Sequence, residues 1–229
     1  MFPDIETINH SGLAKNSESE DSEFGAGIDF FLTANYKKLR FLGEYLLAKD
    51  EQELERLQFG FSFDESTVWV GRFHNPIGYW NTNFHHGRFL ETSASRPAIA
   101  NFEDDGGILP MHISGLLAEG TYAYGERGLG YSFALGAGPS STMHGLEPWD
   151  AINPSSGKQD ISATLNVFIE PMVYAPTKFG FYVNYTDIPT QGITATGIQQ
   201  ISAGLYGNWE SFPWRILSSS FYVHTLLSG

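Results

Sequence analysis

The sequence predicts an all-β chain, an antiparallel up-and-down transmembrane β-barrel of about ten or more strands with one long folded-in loop. Three observations predict it. Segments of roughly nine to eleven residues alternate apolar with polar or small side chains, the length and period of a tilted membrane strand. Short turns at 35–38, 64–66, 125–128, 175–178 and 210–213 alternate with longer connections at 49–56, 75–111, 138–160 and 186–197. Such barrels have short turns at one rim and long loops at the other. Aromatic residues gather near strand ends, at Tyr36, Tyr45, Tyr122, Tyr124, Trp209 and Trp214, where an interfacial girdle would place them.

Composition narrows the function classes. The 229 residues carry 13 Lys+Arg against 26 Asp+Glu, a net charge of -13. Nucleic acid is excluded as a partner, because neutralising phosphates needs a basic face. Aromatics make up 15% of the chain and there are 25 glycines, a balance that favours strands over helices. Without cysteine there is neither a disulfide framework nor a thiolate metal site. No run of about eighteen apolar residues exists, which excludes a transmembrane helix but not a barrel, whose strands never produce such a run.

Residues 1–23 read as a separate, disordered acidic segment. The stretch Asn16 to Glu23 is polar and acidic, and no basic region followed by an apolar core marks a secretory signal. An exported chain would have lost its signal or carry it upstream. Residues 24–229 read as a single barrel domain, one whose C-terminal strands the chain need not include.

From Phe24 the period is two. Phe24, Ala26, Ile28, Phe30 and Leu32 share one face. After the turn come Leu39, Phe41, Gly43, Tyr45 and Leu47, with Arg40 and Glu44 opposite. The charged stretch Asp50 to Arg56 breaks the pattern and reads as a loop. Leu57, Phe59, Phe61 and Phe63 then oppose Gln58, Gly60 and Ser62. In the next strand Arg72 and His74 share a face with Val68 and Val70. The second half repeats the grammar over 116–124, 129–137, 161–170, 179–185 and 201–209, and only the last segment, 214–225, alternates poorly. Phe30, Phe61, Phe133, Leu165 and Phe181 are expected to face lipid, and Ser62, Ser132, Thr164 and Asn184 the lumen.

Much of the polar chemistry sits at the end of the fourth of these strands and in the connection after it. Compact domains rarely carry so long an irregular segment without a use for it. Arg72, His74, His85, His86, Arg88, Glu91, Arg96, Glu103, Asp104 and Asp105 are the candidate constriction and solute-binding residues. His74, His85, His86 and His112 beside Glu103, Asp104 and Asp105 invite comparison with a His/carboxylate metal site. Adjacent histidines on an extended chain point to opposite sides, however, and no His-x-His or His-x-x-x-His spacing occurs. The sequence therefore predicts no metal and no cofactor. The run Glu103-Asp104-Asp105-Gly106-Gly107 reads as a turn, and nucleophile elbow, P-loop and dinucleotide fingerprints are all missing. The chain is expected not to be an enzyme.

The segment Gly71-Arg72-Phe73-His74-Asn75-Pro76-Ile77-Gly78, followed by Arg96 and then His112-Ile113-Ser114-Gly115-Leu116, resembles the bacterial outer-membrane porins of the phosphate-selective O/P type. The resemblance covers about a fifth of the chain, residues 70–119. It implies a Gram-negative outer-membrane channel through which small solutes diffuse, narrowed by an inward loop. The anion-binding lysines of that family have no counterpart here, and the acidic balance argues against phosphate. The chain ends without a terminal aromatic, and about ten strands fall short of the sixteen or so of large porins. Membrane lipid, lipopolysaccharide and small solutes are the expected partners, with room for a homo-oligomer. The competing reading is a soluble β-sandwich or small barrel that binds or hydrolyses a ligand with the same 75–111 loop.

Overall fold

The computed structural model describes residues 2–9, 22–48, 52–85, 97–101, 103, 106–142, 145–149, 158–173, 175–190 and 197–228. The chain lays down β1 (Phe2–Asn9), β2 (Ser22–Tyr36), β3 (Leu39–Ala48), β4 (Gln52–Phe63) and β5 (Ser66–His74). A short helix, α1 (Gly78–Asn83), opens the long connection. Then come β6 (His112–Tyr124), β7 (Arg127–Ala137), the two-residue pieces β8 (Ser140–Ser141) and β9 (Leu146–Glu147), β10 (Ile161–Glu170), β11 (Lys178–Pro189), β12 (Gly197–Ser211) and β13 (Trp214–Ser228). Eleven strands form one sheet in the order β1-β2-β3-β4-β5-β6-β7-β10-β11-β12-β13, while β8 pairs with β9 alone. Each neighbour in the large sheet is the next main strand in sequence and runs antiparallel to it. This is up-and-down topology in a single sheet, so the sandwich alternative, which needs two packed sheets, is set aside.

The two faces of the sheet are inverted relative to a water-soluble protein. Phe30, Phe61, Phe133, Leu165 and Phe181 are all exposed, at 39% to 47%. Thr164, Asn184, Thr186, Ser162 and Ser202 are buried on the opposite face at 1% or less. A wall with apolar side chains outward and polar ones inward is what a hydrocarbon surround stabilises, because strand-to-strand pairing satisfies the backbone groups and leaves apolar side chains to lipid. Tyr36, Tyr122, Tyr124, Phe212 and Trp214 stand exposed beside the short turns, where a girdle at the lipid–water interface belongs.

The sheet wraps round its own contents. The connection between β5 and β6 reaches β4 through His85, whose Nε2 lies 3.6 Å from Glu55 Oε2. It reaches β12 through Ile108, whose carbonyl accepts from Gln200 Nε2 at 2.9 Å. In a flat sheet the six interstrand steps from β4 to β12 would separate these contacts by about 29 Å. Curling brings both walls to the same loop. Among the described residues the ladder runs from β1 to β13 without a pairing between those two strands.

Several local expectations are corrected. Residues 52–56 are strand, not loop: Glu44 pairs with Arg56 but Tyr45 with Leu54, so Glu55 is an extra residue in the ladder, a bulge. Charged side chains there broke the apolar period because the bulge aims them inside. Phe2–Asn9 is also strand, paired with Ser22–Asp29, although its sequence lacks clear alternation. Backbone hydrogen bonds to an edge do not depend on side-chain pattern. The acidic stretch 10–21 lies outside the described residues. The last segment, expected as a strand despite its poor alternation, does pair with β12 along its whole length. Finally, Val70 is 55% exposed while Arg72 is 3% exposed, so the two do not share a face. Gly71 between them has φ 136°, a conformation that breaks strand alternation and favours glycine.

Candidate functional site

The site begins where the wall meets the loop. Ile77, Tyr79, Trp80, Phe84, Leu109 and Met111 of the connection bury themselves against Tyr182 and Tyr206, with Leu217, Phe221 and Val223 of β13 packed alongside. Each fully buried large apolar side chain contributes about 1.5–3 kcal/mol, so the contact holds the loop inside the wall. Gly180 makes room for it: a Cβ there would lie 2.5 Å from the Tyr206 ring, which stands over that glycine. Tyr206 Oη in turn donates to Asn166 Oδ1 at 2.8 Å.

Asn75 fixes the root of the loop. It is fully buried, and its amide nitrogen donates to the Met111 carbonyl at 2.7 Å. Its side chain donates to the Pro110 carbonyl at 2.7 Å and accepts from Thr164 Oγ1 at 2.5 Å. Asn81 Nδ2 closes the bundle by donating to the carbonyls of Asn75 and Met111 at 2.7 and 2.9 Å. At the far side Arg215 of β13 holds the helix, its guanidinium 5.1 Å from the Phe84 ring centre and 3.0 Å from Glu210 Oε1. Burial pushes the Tyr79 phenol above its ordinary value, and a hydrogen bond with Arg215 opposes that shift.

Against β4, β5 and β6 the loop meets a cluster of ionisable groups. His112 Nδ1 lies 3.0 Å from Glu103 Oε2 and its Nε2 lies 3.1 Å from Glu55 Oε2. His74 and His85 stack with ring centres 3.6 Å apart, and His85 meets His112 edge to face at 4.7 Å. Glu103 Oε1 accepts from the Met111 amide at 2.7 Å, which orients its carboxylate. Three further ion pairs ring the lumen: Arg56 with Glu44, Arg72 with Glu53, and Lys178 with Glu170 at 3.1 Å. Beside this cluster lies a cavity of about 280 Å³, lined among others by Arg56, Trp69, His74, Glu119, Lys178 and Tyr206.

Of the residues predicted for the constriction, Arg72, His74, His85 and Glu103 are described and all lie inside the wall. Arg72 does not oppose the acids of the loop: it bonds Glu53 on the neighbouring hairpin strand and the Trp149 carbonyl, 3.0 Å away. His86, Arg88, Glu91, Arg96, Asp104 and Asp105 lie outside the described residues. Glu44, Glu53, Glu55, Asn75 and Asn81 were missed. The available signal was the charged interruption at 53–56, which marks a bulge next to a site as readily as a loop.

Two exclusions made from the sequence are withdrawn. The prediction of no metal site tested only local spacing, whereas Glu55, His74, His85 and His112 arrive from separate segments with ligand atoms within 4.8 Å of one another. The expectation that the chain is not an enzyme is withdrawn as well: it rested on missing sequence motifs, and a buried carboxylate–histidine cluster assembled from separate segments leaves no such motif.

No protein-family model matches the sequence, and neither does any curated protein. Among solved structures the chain is similar to a loop L8 deletion mutant of OmpT, an outer membrane protein of Vibrio cholerae. The identity is 10% and the TM-score 0.36, over 92% of this chain and 78% of that one. The outward apolar band, the polar interior and the alternation of short turns with long loops make this chain an outer-membrane β-barrel. Its place is the bacterial outer membrane.

Proposed function

We propose that the chain is a porin-like channel for passive diffusion of small solutes, with the 75–111 loop as its constriction. The observation that carries this reading is the loop seated inside the wall with a polar cavity of about 280 Å³ left beside it. The resemblance to the phosphate-selective O/P porins supports the architecture rather than the selectivity. Arg56, Arg72 and Lys178 are each paired with a carboxylate, so they are poor free sites for an anion. Carboxylates are in excess inside: Glu55, Glu103 and Glu119 add to those three pairs. Acidic linings favour cations, so the expected solutes are small cations and neutral molecules. Lipid and lipopolysaccharide are the partners of the outer face, and further copies of the chain fit the same reading.

Glu119 gives the cleanest test. It lines the cavity and accepts from Trp69 Nε1 at 2.9 Å, a bond that glutamine can replace. In planar bilayers under a KCl gradient, the wild-type reversal potential should show a cation preference and Glu119→Gln should reduce it. A selectivity unmoved by Glu119→Gln removes the acidic lining from the account, and a folded protein without conductance overturns the channel.

A further inference from the structure

We propose that Glu55, His74, His85 and His112 bind a divalent first-row transition metal of the zinc class, clamping the loop to the barrel wall. Three imidazole nitrogens and one carboxylate oxygen form a donor set suited to such ions rather than to calcium or magnesium. The four ligand atoms lie within 4.8 Å of one another. Tetrahedral coordination at zinc distances needs them roughly 3.3 Å apart, so binding would draw the four ligands together and swing His74 or His85 out of their mutual stack.

Hydrogen bonding selects the nitrogen that His85 and His112 would offer. Asn81 uses its Nδ2 to donate to the Asn75 and Met111 carbonyls, so its Oδ1, 2.5 Å from His85 Nδ1, is an acceptor. His85 therefore carries its proton on Nδ1 and presents the lone pair of Nε2 toward Glu55, 3.6 Å away. His112 repeats the pattern, with Nδ1 held by the Glu103 carboxylate at 3.0 Å and Nε2 facing Glu55 Oε2 at 3.1 Å. A nitrogen and a carboxylate oxygen at that separation need a proton or a cation between them. Binding replaces that Nε2 proton, releases it to solvent, and leaves a carboxylate–histidine–metal relay. His74 and His85 stack at 3.6 Å, a contact that neutral rings make far more readily than two imidazolium ions.

The ligands also explain the geometry that positions them. The bulge at Glu55 adds one residue to β4 and brings a second carboxylate-bearing position inside. His74 and His112 are register partners on β5 and β6, and His85 comes from the loop. The ion would thus join three wall strands to the constriction.

The test uses the full chain without a polyhistidine tag, folded in detergent, stripped with chelator and titrated with Zn²⁺ by calorimetry. One ion per chain is expected, and Co²⁺ should give the intense visible absorption of a four-coordinate site. His85→Ala should abolish uptake, and Glu103→Gln should weaken it roughly 10–100-fold. His224→Ala, an exposed histidine on β13, should leave it unchanged. No stoichiometric uptake by the folded wild-type chain, or uptake indifferent to His85→Ala, overturns the proposal. X-ray absorption of the zinc-loaded wild type decides without any variant: three imidazoles and one oxygen support the site, and an environment of oxygens alone overturns it.

Discussion

Single residues on one strand of this barrel have opposite fates. Leu165 is 39% exposed on the outer face, and its neighbour Thr164 is 1% exposed beneath the loop. Arginine in place of Leu165 puts a charge into hydrocarbon and should cost about 2–4 kcal/mol if the position lies near midplane. A gel-shift assay of folding into vesicles should show Leu165→Arg largely unfolded. Thr164→Arg differs from what an open lumen would allow. Thr164 bonds Asn75 at 2.5 Å and accepts from Asn184 Nδ2 at 2.8 Å, so a long side chain there displaces the root of the loop rather than the wall. That variant should fold but show a raised single-channel conductance. Equal folding of both variants would remove the lipid-facing assignment.

At the scale of elements, α1 and the connection around it are held at two ends by different chemistry. One end is the Asn75–Asn81 network and the other is Tyr79 with Arg215. Tyr79 titrates above its ordinary value of 10.0 because burial disfavours the phenolate. A raised value means the neutral form is preferred in the fold. Its contribution is therefore complete below pH 10 or so and is lost as pH rises through the shifted value. Loop anchoring should be flat with pH across the neutral and mildly alkaline range and loosen only beyond it. Bilayer recordings should show open-channel noise rising above about pH 10 in the wild type and this step missing in Tyr79→Phe. Noise that rises identically in both would assign the transition to another group. The same element shows how far sequence carries. Ile77, Tyr79, Trp80 and Phe84 are visibly apolar within a polar connection, which marks the loop as buried, but nothing in their spacing names β12 and β13 as the surface they bury against.

For the whole molecule, the decisive quantity is the apolar band. Phe59, Phe61, Leu116, Phe133, Ile169, Phe181 and Leu205 are all at least 44% exposed, a surface far more apolar than water tolerates without association. Purified protein should stay monodisperse in detergent and aggregate when the detergent is removed, as followed by light scattering. A chain that remained monodisperse in buffer would be incompatible with this wall.

The sequence by itself determined the wall. Period-two alternation, the order of short turns and long loops, and the aromatic strand ends follow from local rules, since side-chain direction alternates along any strand and turns need particular residues. It also marked one connection as the chemical part of the chain. Only the tertiary structure decided what that chemistry is. Glu55 joins His112 through a bulge that shifts register by one residue, and Arg72 turns inward through the φ of Gly71. His85 reaches the cluster because the loop folds back against a sheet curled over many strands. Register slips, single backbone angles and long-range curvature leave almost no trace in local pattern, yet they place ionisable groups within ångströms of each other. That is why the barrel could be read from the chain and the His–Glu cluster could not.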